Sequence, residues 1–498
     1  MSPPFRIEKG IEYIIYGVKM KISAPSREKE ARTPETLEIS RVSIDLCSEF
    51  CYNIFAENIT KGGAVMANIV SQVSFFDYTE EVEKLGDLER LQIALEGIDD
   101  EALMSVLEKE RGSGRDDYPI RVMWNLKIAK KVFEHPKVST FRRELKRNSQ
   151  LRRICGLNDN DNKKHLVPPA RVFTNFDTML ERHQEMVDAI FDGQVDFFYE
   201  EVEGFGEDAA CDGKYLDSYA NNKPKEGREE TDNRTENDAE YSIKEYHYVD
   251  KDGKKQTKKE THFGFKAHII CDTKTELPIA KKVTKANYDE KKAAKDLLED
   301  MDAARIEVMK TICMDRGYDS LDMIRLIKEK DIIPLIDIRN MWKDGEGTRQ
   351  YKDTNMVYNA YGEVFHYDYV EVTDVESSKK SLEWQPVKMK YEGYDKQKKC
   401  LRYSHKGKIR KIYISYDERV FLPIARDSEK FKKLYNGRTS VERLNGRLDR
   451  DYMFENHTIR GLDKMNLELT ISMIVMNGMA VGKIKRNMQS IRSLVKIA

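Results

Sequence analysis

The chain of 498 residues has no close cysteine pairing, no long uninterrupted apolar run and no excess of one charge. Its seven cysteines, Cys47, Cys51, Cys155, Cys211, Cys271, Cys313 and Cys400, are scattered without a CxxC pair. That spacing argues against a disulfide scaffold and fits a reduced, cytosolic compartment. His165, His183 and His457 stand at no metal-ligand spacing and read as structural or surface residues. The opening MSPPFRIEKG holds no apolar core of signal-peptide length, and the longest apolar region, Leu467 to Val481, is broken by Glu468, Thr470, Ser472 and Asn477. The expectation is an intracellular protein that does not enter a membrane. No repeat of fixed period occurs, which excludes a solenoid.

What is present is enough apolar material to fold, 40% of residues, under a heavily charged surface, 35% Asp, Glu, Lys and Arg. The net charge of -1 hides a mosaic: Phe141 to Arg153 is strongly basic, whereas Gly204 to Asp208 and Asp99 to Glu101 are acidic. Net charge therefore neither supports nor excludes a polyanionic partner. At this length a single simple core is not expected.

The pattern divides the chain into five segments. Residues 1–112 read as mainly helical, with Pro34 at a first helical position and apolar spacings of three and four from Thr33. Residues 113–200 hold short helices punctuated by Pro119, Pro136, Gly156, Pro168 and Pro169. The run FRRELKRNSQLRR in that segment is either a phosphate-facing surface or a solvated helix face. In residues 201–338 the period changes. Strands are expected at Asp208–Tyr215, Gly264–Asp272 and Leu277–Val283, then a helix from Tyr288 to Met301, a strand at Val308–Met314, a helix at Leu321–Lys330 and a strand at Ile332–Ile336. This order predicts an α/β layer on a mixed sheet. The stretch KPKEGREETDNRTENDAEY, dense in charge and turn formers, is expected to be a loop. Residues 339–422, rich in Tyr, Val and Lys, predict a β-rich insertion, and residues 423–498 return to helix.

Three acids stand in contexts that could bring them together. Asp212 lies in AACDGKYLDSYA, within a strand. Asp315 lies in TICMDRGYDS, just after an apolar strand and before a helix start, where open α/β sheets place their ligands. In FKKLYNGRTSVERLNGRLDRD, Tyr435, Arg438, Glu442 and Asn445 fall at offsets of three, four and three, hence on one helical face, while Leu434, Val441, Leu444 and Leu448 trace the other. Singly, each acid is one of 87 and is expected merely to solvate the surface. Three carboxylates at one point would repel unless a metal neutralised them.

The stretches HFGFKAHIICDTKTELPIAKKVTKANYDEKKAAKDLLEDM, ICMDRGYDS and YNGRTSVERLNGRLDRD resemble bacterial insertion-sequence DDE transposases. Those enzymes carry a tyrosine, then an arginine after two residues, then a catalytic glutamate after three more. Tyr435, Arg438 and Glu442 have that spacing. The block from YPIRVMWNLKIAKKVF to VPPARVFTNF looks like their helical N-terminal domain, so the resemblance spans roughly Tyr118 to Lys483. One departure stands out: the family's basic residue seven positions after the glutamate is Asp449 here, with Arg450 beside it.

The resemblance implies an RNase H-like mixed-sheet core interrupted by a β-rich insertion and preceded by a helical DNA-binding domain, residues 113–200. It implies Asp212, Asp315 and Glu442 as catalytic residues and ligands of two Mg²⁺ or Mn²⁺ ions, which prefer hard oxygen donors. The implied partners are double-stranded DNA with terminal inverted repeats, target DNA and a second subunit in a homodimeric synaptic complex, on the nucleoid in a bacterial cytoplasm. Tyr435 and Arg438 would hold the phosphate near the cut, or form a surface pair with a structural salt bridge. Arg450, Arg443, Arg447 and Lys214 are weaker candidates for DNA contacts. Trp342 is a candidate for stacking on an unpaired base, against ordinary packing. Rival readings are an RNase H-like nuclease that cuts without joining, a domesticated DNA-binding protein without chemistry, and a helical scaffold.

Overall fold

The computed structural model describes residues 12–15, 18–21, 86–112, 118–157, 166–220, 236–249, 254–373 and 380–488. The chain forms two compact units, Met1–Met66 and Ala67–Ala498. In the first, strands β1 (Glu12–Ile15) and β2 (Val18–Lys21) pair as an antiparallel hairpin, an addition to the mainly helical expectation. The helical pattern expected from Thr33 is seen only at its end, because residues 33–85 lie outside the described residues.

The second unit opens with helices α1 (Leu88–Glu96), α2 (Glu101–Arg111), α3 (Ile120–Val132), α4 (Val138–Arg147), α5 (Ser149–Ile154), α6 (Ala170–Arg182) and α7 (Gln184–Glu201). The strands β3 (Asp208–Asp217), β4 (Glu240–Val249), β5 (Lys255–Asp272) and β6 (Pro278–Lys285) follow. Then come α8 (Glu290–Asp300), α9 (Ala303–Val308), β7 (Thr311–Met314), α10 (Leu321–Glu329) and β8 (Ile333–Ile336).

β5 is the organising strand. Its second half pairs antiparallel with β3 on one edge and with β6 on the other, while its first half pairs with β4. β7 then joins β3 in parallel, and β8 joins β7 in parallel, so β6, β5, β3, β7 and β8 lie side by side. Gly264 marks the junction where β5 changes partner: a Cβ there would fall 2.3 Å from the Leu216 carbonyl oxygen. β4 begins at Glu240, inside the stretch expected to be a loop; residues 221–235 of that stretch lie outside the described residues.

Residues 348–413 are β-rich, as their composition predicts. β9 (Thr348–Gln350), β10 (Met356–Asn359), β11 (Val364–Thr373) and β12 (Lys380–Lys388) make one antiparallel sheet. β13 (Lys390–Asp395), β14 (Cys400–His405) and β15 (Lys408–Tyr413) make another. Both contribute to one apolar core of their own, with Tyr358 and Val364 from the first sheet and Leu401, Tyr403 and Ile412 from the second.

Helices α11 (Glu429–Tyr435), α12 (Thr439–Arg450) and α13 (Leu462–Lys485) close the chain. α12 packs on β3 and β5, and α13 packs on β6 and on α1, α3, α6 and α7. α13 is long and apolar enough to cross a membrane, but its most apolar window is 94% buried inside the protein, as expected of a core helix. Its crossing with α1 needs glycine: a Cβ on Gly482 would lie 2.1 Å from the Ile93 carbonyl oxygen. Of the polar residues that interrupt its sequence, Glu468, Thr470 and Ser472 have partners, whereas the buried Asn477 amide has no hydrogen-bond partner among the described residues. Glu468, buried, meets Lys127 at 2.5 Å and Lys131 at 2.7 Å, and Lys127 also meets Asp177 at 2.6 Å.

Candidate active site

The pairing of β3 with β7 sets the first two acids. Cys211 stands opposite Met314 in the parallel register, and the residue that follows each of them is an aspartate, Asp212 and Asp315. β7 stops there while β3 continues to Asp217, so both acids lie at the carboxyl end of the short strand. Small, buried Ala209, Ala210 and Cys211 hold β3 in the core up to that point. Asp315 accepts a 2.6 Å hydrogen bond from the Gly317 amide and caps the 3₁₀ turn Arg316–Tyr318. Any side chain at 317 would press on that carboxylate, since a Cβ would sit 2.7 Å from Asp315 Oδ1.

Asp212 is the electrostatically strained member. Burial pushes its carboxyl up to about 6; the charges of Asp315 and Glu290 push the same way, against the Gly213 amide and Arg438. Glu290, the first residue of α8, is bound to Lys266 at 3.0 Å, and a Cβ on Gly213 would lie 3.5 Å from its Cγ. Sequence reasoning missed it. An acid in the first turn of a helix capped by Asp289 carries no distinguishing signal.

The helix carrying the third acid differs from the expected single face. Tyr435 ends α11, a 3₁₀ turn spans Asn436–Arg438, and Glu442 belongs to α12. The turn lies where Gly437 meets Thr273: a Cβ would be 3.0 Å from Thr273 Cγ2, a contact tight enough that the threonine side chain would have to give way. Beyond the turn the expected faces hold. Val441, Leu444 and Leu448 are buried, and Asn445, one turn after Glu442, donates from Nδ2 to Asp212 Oδ2 at 3.4 Å. Glu442 itself is 47% exposed and bound to Arg438 at 2.7 Å. Arg438 lies 6.0 Å over the Tyr435 ring, which stacks on Phe431 and whose hydroxyl burial pushes up to about 12.

The remaining candidates are dispersed. Lys214, two residues beyond Asp212 and therefore on the same face of β3, is bound to Asp449 at 2.6 Å. Arg443 meets Glu276 at 2.7 Å, and buried Arg447 donates to the Glu276 carbonyl at 2.7 Å, so both brace α12 against the β5–β6 turn. Arg450 pairs with Asp451 and is 74% exposed. Trp342 is half-buried at the edge of the insertion core, edge-on to Tyr358 at 5.9 Å, with the Arg349 guanidinium 4.2 Å over its ring. In the basic run, Arg142 and Arg152 donate to the carbonyls of Pro168 and Leu145, whereas Arg143, Lys146, Arg147 and Arg153 are exposed.

Residues 230–477 match the family described as the transposase DDE domain. The chain belongs to the DDE transposases. The matched stretch of this transposase contains Asp315 and Glu442; Asp212 precedes it. No curated protein matches the chain significantly. Among solved structures, one described as the cryo-EM structure of the piggyBac transposase synaptic complex with hairpin DNA aligns over 82% of this chain and 78% of that one. Its identity is 11% and its TM-score 0.33, too low to inform the transposase site.

Proposed function

We propose that the protein cuts DNA at the terminal inverted repeats of a mobile element and joins the freed ends to target DNA by cut-and-paste transposition. The observation that carries this reading is that Asp212 and Asp315 directly follow the last paired residues of β3 and β7, Cys211 and Met314, with Asp212 pushed up to about 6 by burial and by its neighbours' charge. Such a site has an excess of hard oxygen donors and of negative charge, which fits Mg²⁺ or Mn²⁺. Asp212, Asp315 and Glu442 would hold two such ions. Bound there, they supply the activated oxygen nucleophile and the neutralisation of charge that phosphoryl transfer needs. The strand order β6, β5, β3, β7, β8, with the first three antiparallel and the last two parallel to β3, supports an RNase H-like core.

The chain's own residues divide the remaining work. Arg438 is held by Glu442, so a DNA phosphate that takes the guanidinium releases the carboxylate. Asn445 orients Asp212, and the Tyr435 hydroxyl is a neutral donor beside Arg438. Exposed Arg143, Lys146, Arg147 and Arg153 on α4 and α5 offer cations to the DNA backbone, with Arg450 a further one. The working unit is a homodimer that synapses both element ends on the bacterial nucleoid.

The test is incubation of the full chain with DNA ending in the flanking element's inverted repeats, a target plasmid and Mg²⁺ or Mn²⁺. Cut ends covalently joined to the plasmid are expected. Cutting without joining would make the protein a nuclease, and binding without cutting a DNA-binding protein without chemistry.

A further inference from the structure

The β-rich insertion brings together two histidines and an aspartate that no part of the DDE site uses. His366 and Asp368 are two residues apart on β11 and so share one face of the strand. His405 ends β14 in the other sheet. The two imidazole rings stack with centroids 4.6 Å apart and planes 15° apart. His405 Nε2 lies 3.0 Å from Asp368 Oδ2, which Lys406 Nζ also contacts. His366 Nδ1 is buried without a hydrogen-bond partner among the described residues. One donor atom from each of the three residues lies within 4.8 Å of the others.

A buried ring nitrogen with no partner costs free energy that a ligand would recover. Stacked imidazoles repel when both are protonated, and Lys406 already supplies a cation beside them. Burial, then the neighbouring His405, holds His366 below the usual histidine range, so its lone pair is available. Two neutral imidazoles and one carboxylate form a donor set of borderline softness, suited to Zn²⁺ and unlike the all-oxygen set that suits Mg²⁺. Ligand nitrogens about 2.0–2.1 Å from such an ion are closer together than 4.8 Å, so binding requires the two stacked rings to swing apart and turn their nitrogens towards one point.

We propose that His366, Asp368 and His405 bind a Zn²⁺-class ion that ties the two sheets of the insertion together. The ion displaces Lys406 from Asp368 and gives His366 Nδ1 its missing partner. Because the site lies on β11 and β14, it stands or falls independently of the transposase chemistry assigned to the core sheet.

The experiment uses the full chain, stripped with a chelator and titrated with Zn²⁺, then with Co²⁺ as a visible probe, in excess Mg²⁺ to occupy the core acids. One tight equivalent is expected, with the visible absorption of Co²⁺ in a low-symmetry nitrogen and oxygen site and a rise in melting temperature. His366→Gln and His405→Gln should each weaken that binding by roughly 100-fold or more, while Asp315→Asn should retain it. Asp368→Asn, which keeps the size of the side chain, provides a second variant should either histidine replacement fail to fold. Binding to the wild type no tighter than to Asp368→Asn, or a Co²⁺ spectrum of the hydrated ion alone, would overturn the proposal and leave a stacked histidine pair bonded to Asp368.

Discussion

Lys214 Nζ stands 2.6 Å from Asp449 Oδ2, joining the strand that carries Asp212 to the helix that carries Glu442. Asp449 occupies the position where resemblance to insertion-sequence transposases leads one to expect a base, seven residues after Glu442. The cation is not lost from that neighbourhood. It comes from β3, and Asp449 holds it in place, with Lys214 13% exposed.

Lys214 is therefore expected to act on DNA in place of the missing base. Lys214→Ala should weaken DNA binding uniformly across sequences and reduce the slope of log affinity against log salt by about one. Asp449→Asn, which frees the lysine, should tighten binding. Binding isotherms at several salt concentrations measure both, and an unchanged slope in Lys214→Ala would leave the pair a structural tie.

The Glu468 cluster should be indispensable to folding. Glu468→Ala leaves Lys127 and Lys131 buried without their shared carboxylate, and breaking such a buried pair costs about 3–5 kcal/mol. Urea denaturation should show this as a lower midpoint. A variant as stable as the wild type would mean that water reaches these lysines.

His268 gives folding a dependence on pH. Burial, with Lys266 beside it, holds the imidazole at about 4, and its Nε2 lies 2.9 Å from Thr284 Oγ1. Its folded pKa is depressed, so as pH falls the unfolded chain takes up a proton near 6.5 while the folded chain does so only near 4. The contribution is complete above about pH 6.5 and is lost towards about pH 4, on the order of 3 kcal/mol in all. The stability of His268→Gln should fall less steeply over that window; identical profiles would contradict the assignment.

Asp212 should trade stability for function. Its folded pKa of about 6 is raised, so keeping it ionised at neutral pH opposes folding, and Asp212→Asn should gain on the order of 2–3 kcal/mol in the absence of metal. Mn²⁺ should raise the melting temperature of the wild type and not of Asp212→Asn. A variant less stable than the wild type, or one equally stabilised by Mn²⁺, would remove Asp212 from the metal set.

Most of the sheet that carries Asp212 was legible in the sequence because its strands are bounded by turns and lead into helices of clear period. Asp315 could be placed because the apolar run TICM ends at it. β4 was not legible: SIKEYHYV alternates weakly and follows a charged stretch, and it becomes a strand through pairing with the first half of β5, a long-range event. The break between Tyr435 and Glu442 was hidden for a similar reason. Spacings of three and four suit a continuous helix, and only the contact of Gly437 with Thr273 shows where the chain tightens. Glu290 and the histidine pair of the insertion come together from separate strands and helices, so no local pattern marked them.

The most direct test is single-turnover cleavage of end DNA with Mn²⁺ by the wild type and by Asp212→Ala, Asp315→Ala and Glu442→Ala, each first shown to bind that DNA. The account predicts cleavage and joining by the wild type alone. Cleavage retained by any alanine variant would contradict the assignment of that acid, and retention by Asp315→Ala would remove the pairing of strand-end aspartates on which the site rests.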